Sequence, residues 1–225
     1  MAIILKRTSD SHINGVKIVV FGMAGSGKTR LCATLPDPLV ISAEAGLLSL
    51  RGMDLPYVEV NSYDSLKEAY EFVTTSHEGT NFQSIAIDSL SEIGEVVLAH
   101  EKRVNKDGRA AYGEMAVQVL EMMRAFRDIS GKNVYFSAKC EKQQDETGKI
   151  LYSPSMPGAK LGQQIPYMVD ELLALRIEKD AEGEIHRALM CQSDGIWQAK
   201  DRSGALDTWE PADLGAIIEK IGGGK

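Results

Sequence analysis

Gly22-Met23-Ala24-Gly25-Ser26-Gly27-Lys28-Thr29, with Arg30 directly after it, fits the pattern G-x-x-x-x-G-K-[ST]. Val16-Lys17-Ile18-Val19-Val20-Phe21 before it reads as a buried strand, and Lys28 to Ala33 reads as the start of a helix. The glycines let the backbone curl so that successive N–H groups face a phosphate chain, and a helix N-terminus adds partial positive charge at the same point. Residues 22–30 are therefore expected to wrap a nucleoside triphosphate, with Lys28 on the outer phosphates and the Thr29 hydroxyl on Mg²⁺. The alternative is a glycine-rich turn between strand and helix. The complete pattern in strand–loop–helix context outweighs it.

Outward from the loop, short apolar runs alternate with helical patterns. Leu39-Val40-Ile41, Tyr57 to Val60, Ser84 to Ile87 and Val134 to Ser137 read as buried strands. A helix is expected from about Asp64, with Ser65 and Glu68 at capping-box spacing. A second carries Ile93, Val96, Val97 and His100 on one face, and a third Met115, Val119, Met122 and Phe126. Such alternation predicts an α/β fold with a mostly parallel sheet covered on both faces. In the last third, Asp170 to Glu178, Ile185 to Cys191 and Ile196 to Ala199 read as antiparallel strands extending that sheet. Asp180-Ala181-Glu182-Gly183 reads as a hairpin turn, and Pro211 as the opening of a C-terminal helix. No repeat or linker divides residues 1–225, so one domain with a frayed tail at 221–225 is expected.

The chain has 225 residues, a net charge of −7 and three cysteines, Cys32, Cys140 and Cys191, without metal-ligand spacing. A zinc site is not expected, and the cysteine usage suits a reducing, cytoplasmic setting. Neither a membrane-spanning run nor a signal peptide is evident in the sequence. The acidic balance argues against a protein that coats nucleic acid with its whole surface, but not against one with a local basic groove.

Ser84-Ile85-Ala86-Ile87-Asp88-Ser89 ends a strand on an acid, where a P-loop protein carries its Walker B aspartate; Asp88 is the expected second Mg²⁺ residue, or else a helix cap. The segments between the loop and Asp88 leave room for a strand inserted between the two, and the one ending near Glu44 suggests itself. Such proteins activate water with a glutamate. Glu44 fits that role if it reaches the γ-phosphate, and otherwise is a solvated loop residue. Lys139, at the end of the strand from Asn133, is either a γ-phosphate sensor or an exposed lysine. Lys200 and Arg202, in the turn Ala199-Lys200-Asp201-Arg202-Ser203-Gly204, are either a solvated tip or a clamp on a neighbouring subunit's nucleotide. Two segments read as functional loops: Lys102, Arg103, Lys106 and Arg109 with Tyr112 behind them, and residues 141–164, with Lys142, Lys149, Lys160 and Tyr152. Positive charge with aromatics suits a single strand of nucleic acid; the acids Glu141, Asp145 and Glu146 weigh against it.

Taken together, these stretches resemble RecA-type recombinases. The segment Val40 to Leu47 is similar to the one that supplies their catalytic glutamate, Ile85 to Leu90 to their Walker B strand, and Val134 to Lys139 to a strand ending in a γ-phosphate sensor, glutamine there and lysine here. A fuller resemblance is to the phage-encoded, RecA-like single-strand annealing ATPases, the RecA-related branch of the Sak annealers. It rests on the P-loop, Glu44 to Gly52, Asp88 to Ile93, Ala111-Tyr112-Gly113, Ser153 to Gly158 and Ala199 to Gly204. The resemblance implies a minimal RecA-like core that binds and hydrolyses ATP with Mg²⁺. It also implies assembly as a ring or filament on single-stranded DNA, and annealing beside a single-strand DNA-binding protein in the host cytoplasm. Lys200 and Arg202 then act in trans. The weighed alternatives are a P-loop nucleotide or nucleoside kinase, with Arg103 and Arg109 as its lid, and an ATP-switched assembly module that does not hydrolyse.

Overall fold

The computed structural model describes residues 14–44, 46–144, 146–179 and 182–223. Met1 to Arg7, Ala45, the Asp180-Ala181 half of the expected hairpin turn and the last two residues lie outside them. The strands are β1 (Lys17–Gly22), β2 (Pro38–Ser42), β3 (Tyr57–Glu59), β4 (Ser84–Asp88), β5 (Asn133–Gln144), β6 (Ile150–Ser155), β7 (Glu171–Lys179), β8 (Ile185–Met190), β9 (Lys200–Asp201) and β10 (Trp209–Pro211). The helices are α1 (Tyr63–Thr75), α2 (Leu90–Val104), α3 (Gly108–Arg127), α4 (Ala159–Met168) and α5 (Leu214–Gly222). All ten strands join one sheet in the order β10-β8-β7-β1-β5-β4-β2-β3, with β6 on β5 and β9 on β7.

β1, β2, β4 and β5 are parallel, and β1, β2 and β4 are buried along their whole length. Alternation sorts their side chains between two faces. Val19 and Phe21 of β1, with Phe136 of β5 and Leu172 of β7, pack under α1 to α4. Ile18 and Val20, with Tyr135 and Leu173, face the other way, toward Leu31, Cys32 and α5. The result is an α/β core with a mostly parallel sheet covered by helices on both faces and antiparallel strands toward the C-terminal side.

Several sequence expectations are corrected. The strand between β1 and the Asp88 strand is β5, not the one ending near Glu44; β2 lies on the far side of β4. The Asp170 to Glu178 strand, β7, runs parallel to β1, and of the strands expected in the last third it is β8 that pairs antiparallel, on β7. Residues 141–164 are not a loop: β5 and β6 form a hairpin from Lys139↔Ser155 to Gln144↔Ile150, followed by α4. Residues 102–109 are mostly helix, with Lys102 and Arg103 in the last turn of α2 and Arg109 in the first turn of α3, which Asp107 caps. The helix after the P-loop is a six-residue 3-10 helix, Thr29–Thr34. Pro36 and Pro38 follow at once, and Leu35, preceding a proline, is extended. The capping box of α1 is Ser62 with Ser65, and α5 starts at Leu214 behind Asp213, since Pro211 belongs to β10. Ile196 to Ala199 is not a strand. Asp194 Oδ1 accepts from the N–H groups of Ile196 and Trp197 (2.8 and 2.7 Å), which turns the chain there.

Candidate nucleotide-binding site

The P-loop leaves the C-terminal end of β1, at the rim where parallel strands gather ligand-binding residues. Gly25 and Gly27 have φ of 76° and 107°, backbone that suits glycine. At Gly22 a Cβ would stand 2.8 Å from both the Leu175 carbonyl oxygen and Ser26 Oγ. Lys28 Nζ donates to the carbonyls of Gly22 (2.9 Å) and Met23 (3.1 Å), so the loop itself holds the ammonium at its mouth. Burial pushes that ammonium below its usual pKa, while Glu44 and Asp88 pull the other way.

Asp88 ends β4 and is 2% exposed. Its Oδ2 accepts from Thr29 Oγ1 at 2.8 Å, and its Oδ1 from Ser137 Oγ. A hydroxyl beside a buried carboxylate is a hard oxygen set that fits Mg²⁺, which otherwise keeps water and phosphate oxygens around it. Among the described residues no three His, Cys, Asp or Glu side chains gather into a metal cluster, and Mg²⁺ at a phosphate site needs none.

Glu44 follows β2 at the same rim. The N–H groups of Ala43 and Glu44 donate to the Asp88 carbonyl (2.8 and 3.3 Å), and Ser42 Oγ donates to the Glu44 carbonyl (2.7 Å). Ser89 Oγ donates to Glu44 Oε1 at 2.5 Å. Thus the end of β4 fixes the backbone of Glu44, and Ser89, the N-cap of α2, fixes its carboxylate. Lys139 sits beside Gly22 in the β1–β5 register, with its ammonium paired to Glu92 on α2 and held above its usual pKa by that hydrogen bond. Lys28, Thr29, Arg30, Glu44, Asp88 and Lys139 all line one cleft of about 520 Å³, with Gly22, Ala24, Gly25 and Gly27.

Three further residues support the site that the motifs do not reveal. Tyr135 is fully buried, and its Oη donates to the Lys28 carbonyl at 2.9 Å. Ser137 holds Asp88. Arg187, on β8, donates from Nε to the Ser26 carbonyl at 2.9 Å. Alternation puts Tyr135 and Ser137 on one face of the strand neighbouring the loop, but it does not name their partners.

Lys200 and Arg202 are not brought to this cleft. β9 pairs with the N-terminal end of β7 (Leu172↔Lys200), whereas the P-loop leaves the C-terminal end of the parallel β1. Lys200 Nζ donates to the carbonyls of Pro166 and Val169 at the end of α4, and Arg202 Nη1 to Asp170 Oδ1 at 3.0 Å. Lys102, Arg103, Lys106, Arg109, Lys142, Lys149 and Lys160 are all exposed. The two segments come near each other behind the hairpin, where α3 contacts α4 and a Cβ placed on Gly158 would meet Tyr112 Cδ1 at 3.5 Å. Lys102 Nζ lies 5.2 Å from the centroid of that ring.

Fold and loop together define a P-loop nucleotide-binding protein. A family model described as an AAA domain matches residues 14–203, and the chain belongs to that family. Among solved structures, the chain is similar to flagellar accessory protein FlaH from Methanocaldococcus jannaschii, at 14% identity and a TM-score of 0.46, over 83% of this chain and 84% of that one. No curated protein matches the chain. Among the described residues no helix is long and apolar enough to cross a membrane.

Proposed function

We propose that this chain is an Mg²⁺-dependent ATPase that assembles on single-stranded DNA and promotes annealing in phage recombination. The observation that carries the ATPase reading is the carboxylate of Glu44, oriented by Ser89 at the rim of the cleft that also holds Lys28, Thr29 and Asp88. Thr29 and Asp88 hold Mg²⁺, which supplies charge neutralisation at the phosphates. Lys28 lies against the outer phosphates. Glu44 accepts a proton from a water as its oxygen attacks the γ-phosphorus, and the bond from that phosphorus to the bridging oxygen breaks, leaving ADP and phosphate. Lys139 leaves Glu92 for the γ-phosphate. Phosphoryl transfer of this kind depends on positioning and electrostatics, and this arrangement supplies both.

The DNA reading is supported by the exposed basic residues of the two segments, by Lys102 lying against the Tyr112 ring, and by the sequence resemblance. The hairpin that carries Lys142 and Lys149 starts at Lys139, so nucleotide contact and DNA contact share one strand. Lys200 and Arg202, remote from their own cleft, are assigned to a neighbouring subunit's nucleotide in a ring or filament, beside a single-strand DNA-binding protein. Arg103 and Arg109 do not line the phosphate cleft, which disfavours a kinase lid. The experiment is ATP hydrolysis by wild type and Glu44→Gln, with and without single-stranded DNA. Stimulation by DNA in wild type and a loss of about 100-fold or more in the variant, with nucleotide binding kept, are expected. Unstimulated turnover would remove the DNA link, and wild-type turnover by Glu44→Gln would remove Glu44 from the reaction.

A further inference from the structure

Arg187 stands on β8, separated from the P-loop strand by β7. Its side chain nevertheless reaches back to the loop. Nε donates to the Ser26 carbonyl at 2.9 Å, and a Cβ placed on Gly27 would meet that nitrogen at 3.3 Å. The guanidinium borders two openings. One is the phosphate cleft, and the other is an adjoining cleft of about 790 Å³ that runs past Arg30, Leu31, Met53 and Leu55. The two openings share Gly27, Arg30 and Arg187. The adjoining opening meets the loop at Gly27, Arg30 and Arg187 but not at Asp88 or Glu44, so it offers room for the inner phosphate and ribose of a nucleotide whose outer phosphates lie on Lys28 and Thr29.

We propose that Arg187 binds the nucleotide in cis, with its guanidinium on the inner phosphate and ribose end that ATP and ADP have in common. The inference rests on the nucleotide-site reading above, and extends it to a residue outside every motif. Arginine presents five N–H donors in a planar fork. The Nε bond to Ser26 consumes one of them and fixes the plane, so the terminal nitrogens meet a phosphate already oriented. Charge on the inner phosphate changes little while the γ-phosphoryl group leaves. The contact therefore strengthens binding uniformly and adds nothing to turnover.

The test is titration of fluorescently labelled ADP and ATP, with Mg²⁺, against wild type, Arg187→Ala and Arg187→Gln, with melting of the ligand-free proteins as the check on folding. Glutamine keeps a side-chain N–H for the Ser26 carbonyl but carries no charge. Both variants are expected to lose affinity about tenfold or more, by the same factor for ADP and ATP. Binding by Arg187→Gln at wild-type strength would reduce Arg187 to a brace for the loop and overturn the proposal. A loss confined to ATP would overturn it too, because it would move the contact to the γ-phosphate. Failure of the wild type to bind either nucleotide would instead remove the nucleotide-site reading on which this one rests.

Discussion

The Tyr135 hydroxyl donates a 2.9 Å hydrogen bond to the main-chain carbonyl of Lys28, across 107 residues of sequence. The ring is fully buried in the sheet face that carries Ile18 and Val20, so the loop's lysine is braced from the core beneath it. Tyr135→Phe preserves the packing and leaves that carbonyl without its donor. A loss of about 1–2 kcal/mol in unfolding free energy is expected, read by chemical denaturation, with a several-fold weaker nucleotide affinity. Unchanged stability and affinity would show that the bond braces nothing.

The same bond illustrates what a sequence conceals. The parallel core was legible because β1, β2 and β4 are buried on both faces, which makes continuous apolar runs. The β5–β6 hairpin was not, since it projects beyond the sheet and buries little. Glu141-Lys142-Gln143-Gln144 therefore has the composition of a loop. Spatial strand order was hidden for another reason: β5 follows β4 in the chain yet lies between β4 and β1. In the site, Lys28, Thr29 and Asp88 were legible from local patterns. Tyr135, Ser137 and Arg187 act through partners 107, 49 and 161 residues away, and no local pattern records such contacts.

Asp88 accepts from Thr29 on one oxygen and Ser137 on the other. Asp88→Asn puts an amide donor opposite one of those hydroxyls and removes the charge that faces Mg²⁺. Nucleotide affinity measured with Mg²⁺ and with a chelator should differ by about tenfold or more in wild type and hardly at all in the variant. A variant that keeps the full Mg²⁺ response would exclude Asp88 from the metal site.

The Lys139–Glu92 pair is open to solvent, its side chains 51% and 30% exposed. Such pairs contribute roughly 0–1 kcal/mol, so Lys139→Ala should melt within a few degrees of wild type. Because Lys139 also borders the phosphate cleft, ATP turnover in that variant should fall about tenfold or more. Wild-type turnover would leave Lys139 as a surface ion pair alone.

Glu171, fully buried on β7, has its carboxyl pushed up to about 8 by burial, with Asp201 and Asp170 adding to the rise. Asp201, paired with it across the β7–β9 ladder, is held below its usual pKa against its burial by hydrogen bonds from the Ser203 hydroxyl and the N–H groups of Leu206 and Gly204, and Lys200 and Arg202 flank it in the chain. An unfolded chain releases the Glu171 proton near 4.5, whereas the folded chain keeps it to about 8. The folded state thus binds more protons between those values, and stability falls as pH rises through the window. Lys17 works in the opposite sense at higher pH: burial lowers it to about 8 from 10.5, so its contribution grows as pH rises between them. Glu171→Gln keeps an oxygen to accept from the Ser203 N–H and cannot ionise. Its unfolding free energy, followed by urea denaturation, should gain on wild type by on the order of 3 kcal/mol from pH 5 to pH 8. Because β9 carries Lys200, the wild type should lose order in that turn over the same range, seen as faster amide exchange at Ser203 and Leu206 after correction for the intrinsic pH dependence of exchange. Parallel stability curves for the two proteins would mean that Glu171 is ionised throughout.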